Sequence, residues 1–132
     1  TLTLPSPGTT GSLGANKAIV IDAVAPTATL IRTGTSYANS PYEIDPSLNQ
    51  DATVKSSEIA RAYLVIDSLT VNNLASITSA ATNLWNYVDI SANTPTTLDS
   101  AGLVDLGKFY VYTVDAAGNL SSRSSNFLTT KY

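Results

Sequence analysis

Apolar and polar positions alternate with a period of two over several short stretches of the chain. The clearest is Lys108–Val114, where Tyr110, Tyr112 and Val114 fall on one side and Phe109, Val111 and Thr113 on the other. Trp85–Ile90 repeats the pattern, with Trp85, Tyr87 and Asp89 opposite Val88 and Ile90. Lys17–Asp22, Thr27–Thr33, Ala52–Ser56 and Ala60–Asp67 read as further strands. After a turn at Asp115–Asn119, Leu120–Thr130 is expected to return as the last one. Gly34–Asp51, which contains Pro41 and Pro46, reads as a turn-rich connection. Pro26 has no amide donor and so marks the start of an edge strand or a linker. One segment departs from the two-residue period. Leu74, Ile77, Thr78 and Ala81 recur at helical spacing behind Asn73, a favourable N-cap, and predict a single helical turn in a crossover. About seven short strands and no long helical period predict an all-β sandwich.

Composition narrows the picture. The chain has 132 residues, 43% of them hydrophobic, enough for one domain with a real core. Only 13% are charged, and the net charge of −3 with seven basic residues makes nucleic acid an unexpected partner. No apolar run approaches the roughly 18–20 residues of a membrane span, so direct membrane insertion is not expected. Ser and Thr make up about a quarter of the residues and, with Val, Ile and Tyr, favour strands.

Cys and His are absent, which removes disulfides, thiol nucleophiles, a Ser-His-Asp triad and Cys/His zinc sites. A staple other than the core would have to be an unusual crosslink or a metal held by oxygen. The two glutamates, Glu43 and Glu58, form no recognisable glycosidase pair, and no enzyme activity is expected. Thr1–Gly14 is rich in Pro, Gly, Ser and Thr and lacks the pattern of a signal peptide; the chain is expected to be part of something longer.

At Asp22-Ala-Val-Ala-Pro-Thr27 and Tyr110-Val-Tyr-Thr-Val-Asp-Ala-Ala-Gly-Asn-Leu-Ser121 the chain resembles the bacterial Ig-like repeats of large RTX-type surface adhesins. Val54–Glu58 followed by Ala62–Val65, and Leu98–Lys108, are similar to the same repeats. The likeness covers roughly residues 22–130. It implies an Ig-like antiparallel sandwich over residues 22–132, with residues 1–21 a linker or the tail strand of a preceding repeat. Ser12–Asn16 and Ser122–Asn126 echo each other at a spacing that suits one such module. The resemblance further implies an extracellular place on the bacterial cell surface and a spacer role. Neighbouring repeats of the same chain would be the partners, host or surface glycans would be reached through other domains, and calcium would stiffen the junctions.

In an Ig-like sandwich the start of the first strand shares a pole with two of the loops. That would gather Asp22, Glu58, Asp115 and Asn119, and carboxylates from three separate places are a start on the six to eight oxygens calcium takes. The plainer alternative is that Asp115 and Asn119 satisfy turn amides, with Gly118 supplying a positive φ, while Asp22 is solvated. Asp45, Asp51, Asp67, Asp89, Asp99 and Asp105 read as turn or surface residues. Tyr110 and Tyr112 read as core, one of them bonded to backbone through its hydroxyl, and Trp85 as packed. An exposed group of Tyr37, Tyr42 or Tyr87 would instead favour a module that binds glycan or a host surface directly.

Overall fold

A computed structural model describes residues 3, 5–10, 12, 15, 21–31, 43–48 and 51–132. Among the described residues, eight strands form two sheets: β1 (Ala28–Ile31), β2 (Glu43–Ile44), β3 (Ala52–Ser56), β4 (Ala60–Ile66), β5 (Trp85–Ile90), β6 (Thr96–Leu98), β7 (Lys108–Val114) and β8 (Leu128–Thr130). One sheet has the order β1-β3-β6 and the other β2-β8-β7-β4-β5. This is the all-β sandwich expected. The pair of β2 with β8 is parallel and departs from a purely antiparallel arrangement. β5 and β7 match their predicted spans residue for residue, and β4 stops at Ile66. The strand read at Lys17–Asp22 falls mostly outside the described residues; Ile21 and Asp22, which are described, lie outside the strands.

The inner faces meet over Leu30, Val54, Leu64, Leu98, Phe109 and Val111, all essentially sealed from water. Fully burying one such side chain contributes roughly 1.5–3 kcal/mol, which makes this face the main source of stability. Gly107 is required here by space, because a Cβ at that position would meet the Phe109 ring at 2.5 Å. Thr113 shares this face, and its buried hydroxyl has no hydrogen-bond partner among the described residues.

The outer face of the five-stranded sheet is built differently. Tyr63 sits directly opposite Tyr87 on one neighbour and Tyr112 on the other; Arg61 lies between Asp89 and Val114 in the same way. Over this face lies α1 (Leu74–Thr78), the predicted turn. Asn73 Oδ1 accepts from the Ser76 amide at 2.9 Å, and the Ser76 hydroxyl accepts from the Asn73 amide, completing a capping box. Ile77 then fills a second cluster with Tyr63, Val65 and Val114, and Trp85 packs at its margin with its indole N–H donating to Ala80 O. Tyr110 and Tyr112 belong to this outer face and not to the sandwich core. Tyr110 packs on Phe127 beneath Arg123 and Lys108, and neither tyrosine hydroxyl donates to backbone among the described residues.

The last strand is shorter than the alternation implies. Ser121 and Ser124 each grip a residue of β7 twice. Their amides donate to Thr113 O and Val111 O, while their hydroxyls accept from the Thr113 and Val111 amides, both at 2.9 Å. Those hydroxyls also donate to Ser122 O and Asn126 O. Side chains thus replace half of the ladder from Ser121 to Asn126, and a regular strand resumes only at Leu128.

Strand direction defines two poles. The starts of β1, β4 and β6 and the ends of β3, β5 and β7 share one; the end of β8 lies at the other.

Candidate functional site

The residues ahead of β1, the β3–β4 connection and the turn after β7 converge at the first pole, each set locally by short hydrogen bonds. Asp115 and Asn119 close the last turn. The Asn119 amide donates to Asp115 Oδ1 at 2.9 Å, its side-chain nitrogen donates to Oδ2 at 2.8 Å, and Gly118 takes the positive φ of 91° that the turn needs. Between β3 and β4, the Ser56 hydroxyl accepts from the Glu58 amide. The Ser57 hydroxyl accepts from the Thr27 amide at 3.0 Å, tying the approach to β1 onto this loop. Asn93, with φ of 58°, adds a third strap, as its amide donates to Ser56 O and its side chain to Ser57 O.

These straps bring Asp22, Glu58 and Asp115 together. One carboxylate oxygen from each lies within 4.8 Å of the other two. Asp22 is exposed, Glu58 half-buried and Asp115 buried. Asn119 joins the group as an organiser: its side-chain nitrogen bridges Asp115 Oδ2 and the backbone oxygen of Asp22, 97 residues away. Asp115 thus closes its turn through the Asn119 amide and also stands in the carboxylate cluster, with Asn119 beside it. Hydrogen bonds from the Asn119 side chain, and from the Asn119, Ala117 and Gly118 amides, hold the Asp115 carboxyl below the ordinary carboxylate range against the opposing effect of burial. Three like charges this close repel. The donor set is carboxylate oxygen on loop-borne side chains, with no nitrogen or sulfur ligand, the donor type that hard cations take.

The other acidic residues are placed as turn and surface groups. Asp45 is buried, capping the turn at Pro46–Leu48 through the Ser47 amide and hydroxyl. Asp51 accepts from the Ser100 amide, and Asp99 from Ala101. Asp67 pairs with Arg123, and Asp89 accepts two hydrogen bonds from Arg61 at 2.7 and 3.1 Å. That contact holds the Asp89 carboxyl low and the Arg61 guanidinium high. No local pattern along the chain announces this pairing, because it depends on strand register across 28 residues.

Among the aromatic candidates, Tyr37 and Tyr42 lie outside the described residues. Tyr87 is 48% exposed, yet its ring lies between Trp85, stacked at a centroid distance of 6.1 Å, and the Arg61 guanidinium 4.7 Å from its centroid. Tyr87 is thus an exposed aromatic beside Tyr63, Trp85 and Arg61. Comparison with family models, with curated proteins and with solved structures finds no match.

Proposed function

We propose that this chain is a structural extender repeat of a bacterial cell-surface adhesin, working outside the cell, whose first pole binds calcium at the junction with a neighbouring module. The observation that supports this reading is the convergence of Asp22, Glu58 and Asp115 from three distant parts of the chain. Asp22 belongs to the segment leading into β1, so a cation shared among the three would fasten that segment to the sandwich and limit bending there. Its remaining oxygens would come from backbone, water or the adjacent module. The motifs at Asp22–Thr27 and Tyr110–Ser121 supply the adhesin part of the reading. A second reading, a module that binds glycan or a host surface directly, is favoured by Tyr87, which is exposed beside Trp85.

The test is thermal unfolding in calcium and in chelator, on the single chain and on two copies in tandem. A cation that binds only the folded state, at a hundred times its Kd, adds about 2.7 kcal/mol, which for a domain of this size raises Tm on the order of 10 °C. Asp115→Asn should abolish the shift. Identical melting in both buffers for both proteins would remove calcium from the proposal.

A further inference from the structure

The chain enters β1 at the first pole and leaves β8 at the opposite one, so a pull along the chain runs parallel to the strands. Inter-strand hydrogen bonds lie across that direction, and a strand drawn along its own axis loads all of them together. The two ends are not held equally. β1 is an edge strand that pairs with β3 alone, from Ala28↔Ser56 to Ile31↔Thr53. Further ties include the Thr27 amide to the Ser57 hydroxyl and Leu30 O, which accepts from the Asn126 side chain at 3.2 Å. β8 instead lies between β2 and β7 and is held on both sides. Thr130, fully buried, strengthens that hold. Its amide donates to Gly107 O at 3.0 Å, and its hydroxyl donates to Val104 O at 2.5 Å and accepts from the Gly107 amide at 3.1 Å.

β2 adds a second line of resistance. It follows β1 in the chain yet belongs to the other sheet, where it runs parallel to β8. Parallel neighbours pulled from opposite ends, β2 by its start and β8 by its end, are set directly against each other. Glu43 stands opposite Thr129 and Ile44 opposite Thr130. Beyond them the Lys131 amide donates to Ile44 O at 2.9 Å, and the Lys131 ammonium lies 3.9 Å from the Glu43 carboxylate. While β1 holds, no load reaches β2 from its own start.

We propose that β1 is a mechanical fuse. Under tension it slides off β3 first, and the load then passes to β2, whose grip on β8 keeps the rest of the sandwich folded. Release frees residues 28–42, at most about 50 Å of chain at about 3.4 Å per residue. Leu30 leaves the core in this step, whereas Leu64, Leu98, Phe109 and Val111 stay in place on other strands. When tension falls, Leu30 draws β1 back and the step resets. The inference rests on the extender reading for the source of the tension; the fuse itself uses neither the carboxylates nor a cation.

Force spectroscopy on the full chain, held by its two ends between marker domains in chelator, tests this. Two events should appear in order, the first lengthening the chain by up to about 50 Å and the second releasing the sandwich. About ten Gly and Ser residues inserted between β1 and β2 should lengthen the first step by about 35 Å and leave the first force unchanged. The chain has no cysteine, so Thr29→Cys with Lys55→Cys, directly opposite on β1 and β3, gives one defined disulfide. It should abolish the first step, and reductant should restore it. Thr130→Val should lower the second force and not the first. A single event that releases the whole length, a first step indifferent to the insertion, or one that survives the disulfide would overturn the proposal. Because calcium takes no part, a failed calcium melting test leaves the fuse standing, and a failed fuse leaves calcium binding to its own test.

Discussion

The two faces of the five-stranded sheet share the same strands but follow different physical rules. The inner face is mainly aliphatic, with Phe109, Thr113 and Thr130 among its sealed side chains and Ile66 and Val88 partly buried at its margin. The outer face is aromatic and charged, covered only in part by α1, and held by stacked rings, cations over rings and surface ion pairs. Removing apolar area from water stabilises strongly, whereas exposed ion pairs contribute little. The inner face therefore carries stability, and the outer face is free to carry contacts with other molecules.

The comparison breaks or sharpens under three perturbations. The largest concerns Phe109, whose truncation to Ala opens a cavity that the tightly placed Gly107 cannot fill; chemical denaturation should show a loss of about 3–5 kcal/mol. A loss below about 1 kcal/mol would mean that the inner face is not what chiefly holds the fold together. Next is Thr113→Val, which keeps the shape and removes a hydroxyl that stands unpaired on that face among the described residues. It should stabilise the fold by about 1 kcal/mol in the same assay, and a destabilisation would show that the hydroxyl has a partner. The smallest effect separates the faces by pH. Burial pushes the Tyr112 phenol above its ordinary value. A group whose folded pKa is raised contributes stability that is complete below its unfolded pKa, near 10, and is lost as pH rises through the folded value. Stability should thus decline above about pH 10, and Tyr112→Phe should flatten the decline, whereas Phe109→Ala should leave its slope unchanged.

Legibility in the sequence follows the same physics. β5 and β7 are readable because β-branched and aromatic residues occupy both faces in an unbroken period of two over six and seven residues. The helical turn is readable from Asn73 and its apolar spacing. β2 and β6 hold two and three residues, too few for any period, and exist because long-range partners complete them. Ser121 and Ser124 conceal the shortening of the last strand, since nothing local reveals that a hydroxyl will stand in for a backbone group. The carboxylate cluster follows from the placement of loops in a resembling sandwich and not from any pattern along the chain.

The serine-stitched segment beside β7 has a further consequence wherever the protein is concentrated. An open strand flank invites a stranger's strand, and crowding copies of one sequence supplies strangers that fit. Between residues 121 and 126 that flank is already satisfied, partly by hydroxyls that no incoming backbone could displace without orphaning Ser122 O and Asn126 O. The stitching thus guards this flank against the addition of a foreign strand.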